Sequence, residues 1–421
     1  MIYKVFKEKS YNLHIIKTHK FKTLFFKVNF IKDVTKENIS IRNLLVDNMK
    51  YSTKKYNTRR KMNIAKADLY GAYLSSSLNR CGNKLITSFV LSILDEKYTE
   101  TTMLEKSVDL LSEVINNPNI DNNAFDEEVF KVIKKDSLET LKTLKEDPRS
   151  YSVIKLREKA FDGYPSSYRI YGYEENYKKI DAKDLYNEYQ DMLKNDKIDI
   201  YVIGNLNIKR IKKLIDKKFK FNSRNKKIDN VQISYDDRKL SGNIYEENTN
   251  NKQSNLSIAL MFNKKLTSYE ERYVMPLFNC IFGNSPDSKL FLNVREKESL
   301  AYSISSQYRL ADNFLMINAG ISYKNYEKVK EKINNELNNM KNGDFDEFSI
   351  LKAKKNIISI INEINSSQSS FIEYLFNINY LSYDKVRKSI RRLKTVTKND
   401  IVKLANKIDI DTIYLLKEGT K

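Results

Sequence analysis

The chain repeats itself, and that repeat restricts its architecture more than any single residue does. Phe125-Asp126-Glu127 opens a long helical pattern in the first half, and Phe345-Asp346-Glu347 opens another 220 residues later. Lys179-Ile180-Asp181-Ala182-Lys183-Asp184-Leu185 returns as Thr395-Val396-Thr397-Lys398-Asn399-Asp400-Ile401, offset by 216 at the aspartate. Each is followed by a Tyr-bearing strand pattern, Ile200-Tyr201-Val202-Ile203 and Thr412-Ile413-Tyr414-Leu415. Three ordered matches at nearly one offset predict duplicated α+β domains of about 200 residues. Residues 222–240 are polar and aperiodic, as in Asn222-Ser223-Arg224-Asn225-Lys226-Lys227, and read as a linker. The expected division is therefore 1–225, a linker at 226–240, and 241–421. Each domain is expected to be an α/β sandwich, an antiparallel-rich sheet covered by helices.

The local patterns fill in that outline. Strands are expected at 3–6, 13–16 and 23–30, then a helix over 39–49 behind a cap near Ser40. A polar turn at 51–55 and a second helix lead to Gly71. A strand pair, 73–78 and 85–91, is joined by Cys81-Gly82-Asn83. Amphipathic helices follow at 103–117, 126–145, 150–161 and 181–193, then a strand at 198–204 and a helix at 207–219. The order restarts with a strand at 254–262 and a helix at 269–282. After them come a polar Gly283-Asn284-Ser285-Pro286 loop, a short helix, two strands and several long helices.

Composition removes several function classes. Lys plus Arg number 75 against 54 Asp plus Glu, a formal charge of +21. A nucleic-acid site would concentrate those cations with stacking aromatics. Here they are spread along the chain and alternate with apolar residues at helical spacing, as in Lys209-Arg210-Ile211-Lys212-Lys213, so they read as solvated helix faces. No apolar run approaches the roughly 18 residues of a membrane span, and the first residues lack the apolar core of a signal peptide. Neither nucleic acid nor membrane is expected as a partner, and a cytoplasmic protein is the simplest expectation. Two cysteines, Cys81 and Cys280, make no disulfide framework or metal cluster. There are only two histidines. His14 lies among apolar neighbours and His19 among lysines, and both read as structural or solvated.

The most specific stretch is Asp287-Ser288-Lys289-Leu290-Phe291-Leu292-Asn293-Val294-Arg295-Glu296-Lys297-Glu298-Ser299-Leu300-Ala301-Tyr302. With Leu69-Tyr70-Gly71-Ala72, Tyr164-Pro165, Tyr171-Gly172 and Val202-Ile203-Gly204, it resembles the pitrilysin/insulinase family of zinc metallopeptidases over nearly the whole chain. The resemblance implies a clamshell half built from the two domains. It also implies an H-x-x-E-H motif on an early helix, in which two imidazoles one turn apart bind Zn²⁺ and the glutamate activates its water. At those positions this chain has Asn43, Val46 and Asp47, and Glu127 is expected at the distal ligand position. Asn is a poor zinc ligand, Val transfers no proton, and Asp47 with Glu127 leaves a weak oxygen-only set. The chain is expected to bind no metal and to have no peptidase activity of its own.

The resemblance also implies what remains. Arg295 and Tyr302 correspond to a pair that in the family contacts the substrate carbonyl and the developing oxyanion, and Gly283 lies in the place of a Gly-rich substrate loop. The expectation is a non-catalytic subunit of a two-chain peptidase. A zinc-binding homologue would be its heterodimer partner and hold the zinc, and an extended peptide would be the substrate. The alternative is an inert peptide-binding or scaffold protein acting as a homodimer.

Overall fold

The computed structural model describes residues 1–222, 225–228, 231–235 and 238–419. In chain order the first elements are β1 (Ile2–Lys7), β2 (Tyr11–Lys17), β3 (Thr23–Asp33), α1 (Lys36–Tyr51), α2 (Arg59–Ala67), β4 (Tyr73–Cys81), β5 (Lys84–Leu94) and α3 (Met103–Asn116). A small hairpin, β6 (Ile120–Asp121) and β7 (Ala124–Phe125), precedes α4 (Glu127–Thr143), α5 (Pro148–Ala160), α6 (Glu174–Lys179), α7 (Ala182–Asn195), β8 (Lys197–Gly204) and α8 (Ile208–Lys218). The second series is β9 (Asn243–Asn248), β10 (Ser254–Phe262), α9 (Met275–Phe282), β11 (Ala301–Arg309), β12 (Phe314–Ile321), α10 (Tyr326–Asn342), α11 (Glu347–Glu363), α12 (Gln368–Tyr380), α13 (Val386–Thr395), α14 (Lys398–Ala405) and β13 (Ile408–Lys417).

Two compact units result: Met1–Lys142 with Arg169–Asp229, and Thr143–Tyr168 with Asn230–Lys421. The sheet of the first has the order β1-β2-β8-β3-β5-β4, and that of the second β11-β12-β10-β13-β9. Reading the second backwards matches β9, β13, β10, β12 and β11 to β2, β8, β3, β5 and β4. Both place one parallel pair, β2 with β8 and β13 with β9, beside antiparallel neighbours. The α+β fold expected from the duplication is the one observed. The repeated sequence words are helix starts. Asp126 accepts from the Val129 amide at 2.9 Å and Asp346 from the Ser349 amide at 2.8 Å. Asp181 with Asp184, and Thr397 with Asp400, form reciprocal capping boxes.

In the first unit, α1 lies over the sheet. It begins earlier than the sequence suggests. Thr35, not Ser40, caps it, accepting from the Asn38 amide while Asn38 accepts from Thr35. Ser40 is buried, and its hydroxyl takes the Tyr173 amide at 3.0 Å. Leu44, Leu45 and Met49 are fully buried beneath the helix, each contributing about 1.5–3 kcal/mol. Arg42 is fully buried too, and donates from Nη1 and Nη2 to Asp196 at 2.7 and 3.1 Å and from Nε to Glu188. These carboxylates lie on α7 and at its end, so one side chain ties α1 to the close of α7.

In the second unit, α5 packs against β10 and β13. Ser152 meets Ser257 at 2.9 Å, and Asn318 donates to Ser257 at 2.9 Å. Tyr151 and Tyr414 both donate to Glu247, at 3.0 and 2.5 Å. The stretch read as a linker is not uniformly polar in effect, since Val231, Ile233 and Tyr235 are buried. Positions 223, 224, 229, 230, 236 and 237 of that stretch lie outside the described residues.

Arg42→Ala leaves Asp196 charged and buried, a loss that costs about 3–5 kcal/mol when one partner of such a pair is removed. Urea unfolding followed by circular dichroism is expected to show that loss, and replacing both Arg42 and Asp196 by apolar residues is expected to recover most of it. A change below about 1 kcal/mol for the single variant would contradict this account of α1.

Candidate functional site

Helix α1 sets Asn43, Val46 and Asp47 on one face, at i, i+3 and i+4. Each is already engaged. Val46 is 3% exposed, and its carbonyl accepts from the Ser76 hydroxyl of β4 at 3.2 Å. Asn43 donates its amide to the Ile170 carbonyl at 2.7 Å. Asp47 is half-exposed and pairs with Lys50 at 2.9 Å.

The segment that receives Asn43 explains the Tyr171-Gly172 pair seen in the sequence. Gly172 has φ +83, and a Cβ there would stand 2.7 Å from the Tyr177 hydroxyl, so both backbone and space require glycine. The Tyr177 hydroxyl donates to the Tyr171 carbonyl at 2.7 Å. Burial, with the nearby Asp47 charge, pushes that phenol well above its ordinary range, so it stays a neutral donor.

Glu127 sits in the first turn of α4, exposed, with Lys131 3.4 Å away. The acid of α4 that shares an open cleft with Asp47 is Asp136, in a space of about 360 Å³ also lined by Ser137, Lys50, Tyr51 and Arg59. Nine residues at about 100° each put Asp136 half a turn around the helix from Glu127. The buried stripe Phe130 and Ile133 fixes that rotation, and the spacing of apolar residues on α4 was the available signal.

These donors do not suit zinc. Asn43 offers a neutral amide already committed to a carbonyl, Val46 has no proton to move, and Asp47 is paired with a lysine. Among the described residues no three His, Cys, Asp or Glu side chains converge as a metal site. Neither histidine lies on α1. His14 is buried on β2, 2.7 Å from the Tyr3 hydroxyl through Nδ1, stacked on Tyr201 at 4.4 Å and 4.0 Å from Asp199. Burial, opposed by Asp199, lowers its pKa. His19 is exposed.

In the second half the signature stretch forms a π-type turn, Phe291–Glu296, ahead of β11. Its end is closed by Ser299 N–H to the Arg295 carbonyl at 3.1 Å and Leu300 N–H to the Val294 carbonyl at 3.0 Å. The Arg295 side chain is 42% exposed, lies over the Phe291 ring at 4.7 Å, and has Glu296 3.6 Å away. Tyr302 stands at a bulge of β11, the outermost strand of its sheet, and is 66% exposed. Both side chains therefore present donors to solvent. Gly283 ends α9, and its carbonyl accepts from the Ser306 amide at 3.0 Å. A Cβ on Gly283 would meet the Ser306 hydroxyl at 2.5 Å, which gives this glycine a packing reason of its own. Asn284 N–H donates to the Asn279 carbonyl at 2.8 Å and Ser285 to the Cys280 carbonyl at 3.1 Å, so the 283–286 loop is folded back on α9.

With this geometry in view, comparison with known proteins gives one consistent result. Residues 179–357 match a family model described as Peptidase M16 inactive domain. The chain is 30% identical over 358 residues, 84% of its length and 83% of the relative's, to a Bacillus subtilis (strain 168) protein named Probable inactive metalloprotease YmfF. It is 23% identical over 271 residues, 64% of this chain and 62% of the other, to Uncharacterized zinc protease YmxG of the same strain. A conserved protein from Enterococcus faecalis V583, known from a crystal structure, superposes with a TM-score of 0.90 at 27% identity, covering 100% of this chain and 99% of that one.

Purified protein loaded with Zn²⁺ and passed through a chelating column is expected to retain far less than one zinc per chain by elemental analysis, and to leave extended peptides intact. Stoichiometric zinc together with unaided hydrolysis would overturn the donor-set argument.

Proposed function

The chain belongs to the M16 peptidase family, as a homologue of a probable inactive metalloprotease, and on that premise we propose that it is the non-catalytic subunit of a cytoplasmic two-chain zinc peptidase. The observation that carries the reading is the contrast between its halves. The helix that would bear H-x-x-E-H holds an amide, a valine and a lysine-paired carboxylate, while the second half keeps Arg295 and Tyr302 exposed at the start of an edge strand. A zinc-binding homologue supplies the metal and the general base. This chain supplies peptide-binding surface and the Arg295 and Tyr302 donors.

The chemistry of those donors suits the role. A guanidinium and a phenol stabilise the charge that develops on a carbonyl oxygen during attack, and each such donor is worth about 3 kcal/mol in the transition state. The unpaired edge of β4, beside α1, supports a second element of the reading. An extended peptide is held there as an added strand, its backbone supplying affinity irrespective of sequence. The existence of a zinc protease similar to this chain in the same Bacillus strain as YmfF supports a partner of that kind.

The test mixes the chain with a zinc-motif homologue from the same genome and follows cleavage of a quenched fluorescent peptide. Activity is expected only with both chains present. Arg295→Ala and Tyr302→Phe are each expected to lower kcat about 100-fold with pairing intact by size-exclusion chromatography. Undiminished activity in both variants would remove the catalytic contribution. A stable homodimer that ignores the homologue would favour an inert peptide-binding scaffold instead.

A further inference from the structure

The two sheets match strand for strand except at one end. β9, β13, β10, β12 and β11 repeat β2, β8, β3, β5 and β4, but among the described residues nothing beside β9 repeats β1. In the first sheet β1 lies antiparallel on the outer edge of β2, with Phe6 opposite Leu13 and Val5 opposite His14. The duplication carries that register across. Leu13 pairs with Ile200 and Ile244 with Ile413, each one residue ahead of a repeated tyrosine, Tyr201 and Tyr414. Ile244 is therefore the counterpart of Leu13, and Tyr245 that of His14. The two positions differ in burial, since Leu13 is fully buried and Ile244 is 50% exposed.

The segment ahead of β9 is not free to fill the gap. Ahead of β2 the chain turns at Glu8, whose N–H donates to the Tyr11 carbonyl at 2.9 Å, and this lays β1 on β2. Ahead of β9 the chain is tied down instead. Arg238 donates from Nη1 and Nη2 to the fully buried Asp411 at 3.0 and 2.7 Å, and the Ser241 amide donates to the same carboxylate at 2.9 Å. Ile233 and Tyr235 are buried in one cluster with Phe161 and Phe314. Freeing this segment would leave Asp411 charged, buried and alone. The acids of β9 do not guard its edge either. Glu246 pairs with Lys417 of the neighbouring β13 at 3.1 Å, and Glu247 accepts from Tyr151 and Tyr414. Among the described residues no strand pairs with the outer edge of β9, so its backbone groups stand open beside an exposed isoleucine.

We propose that the β9 edge takes a strand from another polypeptide, added antiparallel in the register that β1 has on β2. The donated segment is extended, with an aromatic or aliphatic residue opposite Ile244 and an aliphatic one opposite Tyr245, as Phe6 and Val5 provide in the first half. Main-chain hydrogen bonds supply the affinity, and those two cross-strand pairs the selectivity. The donor is a different protein rather than a second copy, because the one strand of this kind in the chain, β1, is held by β2 along its whole length. Neither β4 nor the Arg295 and Tyr302 donors take part, so failure here leaves the functional reading standing, and the reverse.

The β1 segment itself is the probe. A labelled peptide Ile2-Tyr3-Lys4-Val5-Phe6-Lys7 with blocked ends, followed by fluorescence anisotropy, is expected to bind the full chain about 10-fold tighter than a scrambled peptide of the same composition. An antiparallel neighbour uses the N–H groups of alternate residues only. Of two N-methylated versions, one at Tyr3 and Val5 and the other at Lys4 and Phe6, one is therefore expected to keep its affinity and the other to lose it. Ile244→Glu, at an exposed position, is expected to weaken the peptide about 10-fold while keeping the circular dichroism of the parent. Equal affinity for the scrambled peptide, equal affinity for the two methylated peptides, or unchanged binding by the Ile244→Glu variant would each overturn the proposal. So would a dimer of the parent chain, seen by light scattering and dissolved by Ile244→Glu, since it would seat a second copy on this edge.

Discussion

A single buried cation fixes the helix on which the rest of the first half turns. Arg42 reaches Asp196 through two nitrogens and Glu188 through a third, with no exposure of its own. Its neighbour Asn43 and the residues at 46 and 47 take their directions from that anchor, because one rotation of α1 sets all of them. A buried ion pair of this kind adds less to stability than its Coulomb attraction suggests, since both charges were taken from water. What it supplies here is register. Sliding α1 by one turn would leave Asp196 charged and alone in a low-dielectric interior, so the helix has one seat on the sheet.

That seat shows how the chain folds without the imidazoles and the metal that its resemblance implies. In a functioning centre the ion supplies an attraction that holds helix, distal acid and surrounding loop together. Here ordinary hydrogen bonds do the same work. Asn43 binds the Ile170 carbonyl, the Tyr177 hydroxyl binds the Tyr171 carbonyl beside it, and Ser76 binds the Val46 carbonyl. The neutral phenol of Tyr177, held in that state by burial, sits well beside an amide and a hydroxyl and would be a poor neighbour for a divalent cation's ligand set. The cleft beside Asp47 has Lys50 and Arg59 on its walls, and these cations repel a metal further.

Much of this was legible in the sequence because helix starts and buried strands leave strong local marks. Asp126 and Asp346 can be matched by eye because each caps a helix at the same place in its half, and Asp184 and Asp400 because each completes a capping box. The strand Lys197–Gly204 carries the apolar run Ile200-Tyr201-Val202-Ile203 because both its faces are covered. The misses were of two physical kinds. Thr35 displaced Ser40 as the cap because a capping box needs a partner three residues on, and Asn38 rather than a glutamate filled it. Asp136 lines the cleft beside Asp47, half a turn around α4 from Glu127, because helix rotation is set by the stripe Phe130 and Ile133, a periodic property that matching a short word ignores. The attachment of α5 to the second sheet has no local mark at all. Ser152 finds Ser257 and Asn318 across more than a hundred residues, and no window of sequence contains both ends of such a contact.

The two halves have therefore parted in chemistry while keeping one topology. The same strand order and the same capped helices serve in the first half to seat α1, where neutral hydrogen bonds take up the Asn43 amide and the Val46 carbonyl. In the second they hold Arg295 and Tyr302 out toward solvent. Val46 is buried and contributes to the core that it lines, whereas an exposed tyrosine at the mouth of an edge strand contributes little to folding. A side chain whose place in the fold is not explained by packing is one whose explanation lies in what it touches from outside. By that physical criterion the exposed Arg295 and Tyr302, rather than the engaged residues on α1, are the side chains we propose to meet a peptide.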